Sequence, residues 1–298
     1  MIKASYEVLQ PQSGHSFIVR KFGKTAFDAP YHFHEEYELT YILHGRGKRY
    51  VGSHMENFVS GDLVLLGSNL PHCWKLEPDK TSQEEASAIV IQFNANFLGE
   101  DFFNKDELLG IKKLLQKSSS GISFSGGTRN AINSSMDLLS EEKSNFKMLI
   151  SLLEMLQRLA VSAEYTLLDQ QSSIAEQSRA EQERINPVFA YLVENFRRHV
   201  SLNEASGIAH MTPNAFCKYF KKITRKTFME TVIEYRINYA TQQLVQTDKP
   251  ISEISFDSGF GDVSHFYKMF KHKMHQSPLN YRKIFMREFE GSDKKQVA

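Results

Sequence analysis

The sequence predicts an α+β chain of two domains: a β-rich front part followed by helices, then an all-α part built on two similar helix-turn-helix units. Three observations carry this. Short β-prone runs recur through the first hundred residues, separated by Gly, Pro, Asn and Asp. After Phe93 the apolar spacing changes to that of a helix. The basic residues gather toward the back: Ile185 to Glu290 holds 15 Lys/Arg against 10 Asp/Glu, an excess of +5 in a chain of formal net charge +1. That asymmetry suits a polyanion-binding part joined to a part with another task.

The 298 residues suffice for two cores, and 41% hydrophobic with 24% charged residues is ordinary for a globular chain, which excludes bulk disorder. No apolar run approaches a membrane span. The opening MIKASYEVLQPQSGHSF lacks a signal-peptide core, so a cytoplasmic protein is expected. Cys73 and Cys217 are far apart with no CxxC spacing, which argues against a disulfide framework or zinc ribbon.

The front strands are expected at Phe17–Phe22, Tyr37–Leu43, Arg49–Val51, Leu63–Leu66 and Ala88–Phe93, forming an antiparallel sandwich or small barrel. Among them lies His32-Phe33-His34-Glu35-Glu36-Tyr37-Glu38, with Gly45 seven residues on and Pro71-His72 further along. On an extended chain His32, His34 and Glu38 point to one side, and Thr40 and Ile42 continue that parity. Trp74, Tyr31 and Tyr50 complete the expected lining of a small-molecule pocket. The spacing HxH, three residues, Glu, six residues, Gly, with a later His, resembles the cupin fold, although Ala26 stands where that motif has a glycine. In metal-binding cupins the positions matching His32, His34, Glu38 and His72 hold a divalent ion. The other reading is that they hydrogen-bond a polar ligand or each other; no cofactor is required, and a divalent metal is possible.

Helices are expected at Asp106–Gln116 and Arg129–Leu139, separated by the loop SSSGISFSGG. Phe146–Ala163 places Phe146, Leu149, Leu153, Leu156, Ala160 and Ala163 at heptad a and d positions, widened by Leu152 and Leu159. That stripe either pairs with a second subunit or packs within its own domain, and a homodimer is expected. The domains are drawn at 1–168, a polar linker at 169–184, and 185–298.

Asn186-Pro187 reads as a cap and first helical residue. Ser201–Glu204 reads as a capping box opening a helix through Ala209, and Thr212-Pro213 opens another to Ile223 with Phe216, Phe220 and Ile223 inward. The same plan recurs at Ile251–Arg282. Ile251, Ile254 and Ser255 face inward, Gly259 gives a left-handed turn, and Asp262 caps a helix from Val263 to Lys273 that buries Phe266, Met269 and Phe270. A further helix opens at Ser277-Pro278. Between the units the helix at about 228–245 spans about 27 Å, near the ~34 Å repeat of successive major grooves on one face of DNA.

The residues Arg236-Ile237, Ala240, Ile251-x-x-Ile254, Gly259-Phe260, Phe266, Phe270-Lys271 and Ser277-Pro278-x-x-Tyr281-Arg282 resemble the AraC/XylS family of bacterial transcription regulators. Ser255 departs from that pattern, as do Arg225 and His275, which stand where glycine is expected after each second helix. The resemblance implies base-reading side chains at Asn214, Cys217 and Lys218, and at Val263, Ser264, Tyr267 and Lys268. It implies phosphate contacts at Lys221, Lys222, Lys271 and Arg282, against the plain reading of a solvated lysine face. The function implied is a non-enzymatic regulator binding double-stranded promoter DNA, a small-molecule effector and RNA polymerase, with no membrane partner. A metal-dependent cupin enzyme fused to a DNA-binding domain is the alternative.

Overall fold

The computed structural model describes residues 5–6, 16–76, 86–169 and 178–284, and its contacts divide the chain into Met1–Ala190 and Tyr191–Ala298. In the first unit the strands are β1 (Ser5–Tyr6), β2 (Phe17–Phe22), β3 (His32–Phe33), β4 (Tyr37–His44), β5 (Gly47–Val51) and β6 (His54–Phe58). They continue with β7 (Leu63–Leu66), β8 (His72–Leu76), β9 (Ser87–Phe93), β10 (Ile122–Phe124) and β11 (Tyr165–Leu167). Two sheets result, ordered β1-β3-β8-β5-β6 and β11-β10-β7-β4-β9-β2.

Register decides which side chains meet. Strand β4 pairs with β9 so that Glu38 faces Gln92 and Thr40 faces Val90, and with β7 so that Thr40 faces Val64. Between the sheets, Ile42, Val64, Leu66, Ala88 and Val90 form one core with Val51, Phe58 and Trp74. The other face of the larger sheet, Leu39, Leu63, Leu65, Ile89 and Ile91, is buried under three helices: α1 (Leu109–Lys117), α2 (Gly126–Glu141) and α3 (Asn145–Val161). With both faces covered, β7 and β9 read as near-continuous apolar runs rather than alternating ones.

Three sequence expectations change here. The SSSGISFSGG segment is not all loop: β10 lies inside it, with Ile122 opposite Leu65 of β7. Helix α3 buries Leu152, Met155, Leu156 and Leu159, while Phe146 is 72% exposed and Ala163 lies beyond the helix. A straight helix drifts away from a strict seven-residue repeat, so a stripe packing on a sheet and two neighbours departs from a coiled-coil seam. Asn186-Pro187 starts nothing, because α4 runs unbroken from Arg179 to Asn195 with Pro187 inside it and Asn186 fully buried. The helix thus takes in the end of the expected linker; residues 170–177 of that linker lie outside the described ones.

The second unit contains α5 (Leu202–Ile208), α6 (Pro213–Thr224), α7 (Phe228–Gln246), α8 (Ile251–Asp257), α9 (Val263–Met274) and α10, residues 278–284. Thr212 caps α6 by accepting from Ala215 N, and Asp262 caps α9 by accepting from Ser264 N at 3.0 Å and His265 N at 3.3 Å. Only half of the capping box expected at Ser201 forms. Its hydroxyl takes Glu204 N–H, but Tyr191 Oη accepts from Ser201 N and donates to Glu204 at 2.9 Å. The complete box is Thr227 with Glu230, opening α7.

Both second helices end on a left-handed residue that is not glycine, Arg225 at φ 61° and His275 at φ 57°, which costs on the order of 1 kcal/mol each. Gly259 has φ 90°, and a Cβ there would lie 2.8 Å from Phe196 O. The α8–α9 turn is therefore pressed onto the chain that leaves α4. Arg236 of α7 ties down the same segment, donating to Phe196 O at 2.7 Å and Arg198 O at 2.8 Å. The two helix-turn-helix units have separate aromatic cores: Phe216, Phe220 and Phe228 in the first, Phe260, Phe266 and Phe270 in the second.

Candidate functional site

The inward parity read from the sequence holds within β4, whereas His32 lies on β3 of the other sheet and His34 on the segment between the two strands. Glu38, Thr40 and Ile42 of β4 line a cavity of about 260 Å³ with Ala88, Val90 and Gln92 of β9, Trp74 of β8, Phe22, Phe27 and His32. Tyr31 and Tyr50, expected in the lining, are buried but lie elsewhere; the Tyr31 hydroxyl donates to Gly52 O. Gln92, Phe22 and Phe27 were not anticipated. The polar residue in the apolar run Ala88–Phe93, at the parity of Ala88 and Val90, is the signal that marks Gln92.

One end of the cavity is polar. Glu38 accepts from Thr40 Oγ1 at 2.6 Å and from Gln92 Nε2 at 2.8 Å, and its carboxylate lies 3.1 Å from His34 Nε2 and 3.6 Å from His72 Nε2. Each imidazole is oriented from behind: Nδ1 of His32, His34 and His72 meets the carbonyls of Pro30, Glu36 and Leu70 at 2.9, 3.1 and 2.7 Å. A carbonyl only accepts, so each ring donates from Nδ1, which leaves Nε2 as its other polar atom. Ligand atoms of the three rings lie within 4.8 Å of one another. Burial, with His72 nearby, pushes the His32 pKa down to about 3, which keeps that ring neutral. Burial acts to raise the Glu38 pKa, but the adjacent His72 and His34 outweigh it and hold the carboxyl well below its usual range. The four residues predicted to converge do converge.

In the second unit, Asn214, Cys217, Lys218, Lys221 and Lys222 of α6 are all exposed. On α9, Ser264, Tyr267, Lys268 and Lys271 are exposed and Val263 is half-buried. Counted from their N-caps, Asn214 and Ser264 occupy the same place, as do Lys218 and Lys268, so two alike polar and cationic faces belong to units joined by one 19-residue helix, about 28 Å long. Arg282 differs from expectation. It is half-buried and donates from Nε to Leu244 O at 3.0 Å and from Nη2 to Lys249 O at 2.8 Å, so it clasps the end of α7 rather than projecting as a phosphate contact.

Comparison with known proteins bears on both parts. Residues 205–284 match the helix-turn-helix domain family that covers both units, and residues 15–99 match the AraC-like ligand binding domain, together more than half of the chain. The chain belongs to the AraC family of transcription regulators. A Bacillus subtilis relative, the uncharacterized HTH-type transcriptional regulator YdeC, is 22% identical over 277 residues, 86% of either chain. The bifunctional transcriptional activator/DNA repair enzyme AdaA of B. subtilis is 29% identical over 102 residues, 34% of this chain and 48% of that protein. The melibiose operon regulatory protein of Escherichia coli is 27% identical over 107 residues, 36% of this chain and 35% of that protein. In this AraC-family regulator the cavity and its His/Glu end lie in the ligand-binding domain, and both cationic faces lie in the DNA-binding domain. No helix among the described residues is long and apolar enough to cross a membrane.

Proposed function

We propose that a small-molecule effector enters the cavity lined by Glu38, Thr40, Trp74 and Gln92, and that its binding changes how α6 and α9 engage promoter DNA. The observation that supports this most is the cavity itself: a mostly apolar space closed at one end by fixed polar groups, as a small-ligand site requires. On the DNA, Asn214, Lys218, Ser264, Tyr267 and Lys268, with Cys217 and Val263 beside them, read base edges, while Lys221, Lys222 and Lys271 hold phosphates. The protein works in the cytoplasm as a homodimer, contacts RNA polymerase and catalyses no reaction. Selection of duplexes from a random library by the full chain, followed by an electrophoretic shift on the enriched sequence, tests the core of this. Enrichment of one sequence is expected, and a library left unenriched under every condition would overturn it.

A second reading concerns a metal, and the tautomers favour it. The residues present suit a divalent ion: three imidazoles with Nδ1 fixed on carbonyls and a carboxylate beside them are the donor set and outer-shell arrangement of a metal site. His32, His34 and His72 would hold the ion, with Glu38 as fourth donor or as the acceptor orienting it. A bound ion would supply charge and a coordination point for an oxygen-bearing effector. Metal analysis of protein purified without chelator tests this: near-stoichiometric metal that disappears in His34→Ala supports it, and metal-free protein removes it.

A further inference from the structure

We infer that the ligand-binding domain carries a second small-molecule site, apart from the cavity at Glu38: a cleft between α1 and α3 that takes a short-chain or single-ring carboxylic acid as its anion. This site does not depend on the effector reading of the first cavity, and either can fail without the other.

The cleft has a volume of about 140 Å³ and opens between α1 and the last turn of α3. Two small residues leave room for it. Gly110 of α1 faces Ala160 of α3, and a Cβ on the glycine would still stand 3.8 Å from that of the alanine. Beneath them Leu114, Ile122 and Leu159 are buried and present apolar surface. The rest of the lining is cationic and hydroxylic: Lys113 and Lys117 are exposed, and Ser162 and Tyr165 are half-buried. Lys117 is held in place, its Nζ donating to Tyr165 Oη at 2.9 Å and lying 4.8 Å from the ring centre. The phenol accepts in that bond, so its own proton is left to donate. The Lys113 ammonium makes no ion pair among the described residues.

Among the described residues no Asp or Glu lines the cleft. Glu164, beside Tyr165 in sequence, is taken up at the start of α2, where its oxygens accept from Gly127 N at 3.2 Å and Thr128 N at 2.7 Å. Both α1 and α3 end here, and each C-terminus carries roughly half a negative charge, which the two full ammonium charges outweigh. An anion therefore meets a net positive rim with donors on Lys113, Lys117 and Tyr165, whereas a cation meets two like charges. The donors alone would suit any oxyanion. The apolar surface of Leu114, Ile122 and Leu159 selects one with an apolar tail, and a space below the ~300–1,000 Å³ of drug-sized pockets limits that tail to a short chain or a single ring.

The test is equilibrium dialysis of the full chain against radiolabelled butyrate, hexanoate and benzoate at fixed ionic strength, with chelator present so that metal plays no part. At least one acid is expected to bind saturably at one site per chain, and to be displaced by the unlabelled acid but not by the amine of the same skeleton. Inorganic phosphate, which lacks the tail, should displace it about tenfold less well. Lys113→Gln and Lys117→Gln should each weaken binding by about three- to fivefold, as partly screened charges do. Gly110→Leu and Ala160→Leu fill the cleft from opposite helices and should each abolish binding, while thermal unfolding followed by Trp74 fluorescence shows that the domain still folds. Ala88→Leu fills the cavity at Glu38 and should leave the acid bound as in the wild type. The inference is overturned if none of the three acids binds saturably, or if an amine or phosphate displaces as well as the acid. It is equally overturned if binding is unweakened in both lysine variants or survives in a folded cleft-filling variant. Loss of binding in Ala88→Leu would put the acid in the first cavity, which overturns the second site and supports the effector reading instead.

Discussion

Glu234 on α7 joins the two helix-turn-helix units. One carboxylate oxygen takes Lys226, just past α6, at 2.6 Å, and the other takes Lys273, in the last turn of α9, also at 2.6 Å. Replacing it by Gln keeps the shape and removes the charge. Lys273 is 44% exposed on its side chain, so its pair is worth only the ~0.2–1 kcal/mol of a surface ion pair, whereas Lys226 at 28% and Glu234 at 16% are better shielded. Together the loss should be about 1–2 kcal/mol at neutral pH. The two lysines lower the Glu234 pKa against the opposing effect of burial. A group with a depressed folded pKa stabilises above its unfolded value and stops doing so as pH falls through the folded value. The wild type and Glu234→Gln should therefore differ by a constant amount from pH 7 to about 5 and converge toward pH 3. The assay separates the units by probe. Trp74 is the single tryptophan and lies in the first unit, so its fluorescence follows that unit, while far-UV circular dichroism reports the helices of both, and the part that does not track the fluorescence belongs to the second. Urea unfolding should show an earlier dichroism transition with the fluorescence transition unmoved. A difference below ~0.3 kcal/mol at pH 7, or one that persists unchanged at pH 3, would refute the ion-pair argument.

Three further outcomes follow from the same structure. Gly259→Ala should destabilise the second unit by about 2–4 kcal/mol, since a Cβ at φ 90° faces Phe196 O at 2.8 Å and backbone atoms of Arg197 at 2.9 Å; the dichroism transition measures it. Lys218→Ala should relax the sequence preference in library selection more than Lys268→Ala, because α6 pairs its lysine with Asn214 whereas α9 offers Val263 and Tyr267 as neighbours. His34→Ala, measured by reporter expression and by gel shift, should lose the effector response while DNA binding stays intact, since it removes the ring that faces Glu38 Oε2 at 3.1 Å in a domain separate from α6 and α9.

Why some of this was legible in the sequence and some was not comes down to the range of the forces involved. The parity of Glu38, Thr40 and Ile42 is a property of one strand, the caps at Thr212 and Asp262 are each a property of one helix start, and all of these appear where local geometry puts them. Strand β10 is three residues between glycines and exists because β7 and β11 flank it, so no window around Ile122 contains its cause. Pro187 shows the opposite case. A proline in a helix loses one hydrogen bond and crowds the preceding turn, a cost of about 3 kcal/mol that reads locally as a boundary, yet Ile185, Asn186, Val188 and Phe189 are fully buried and the burial outweighs it. Arg282 shows that charge alone does not place a side chain: the exposed lysines of α6 keep their cations in solvent, while this guanidinium is needed by two carbonyls at the end of α7. Gln92 combines both kinds of information. Its parity with Ala88 and Val90 was visible, but its importance came only with the cross-strand register to Glu38, which fixes the amide and leaves its oxygen turned away from the carboxylate. That pairing ties the carboxylate of the motif to a second strand and fixes its place at the polar end of the cavity.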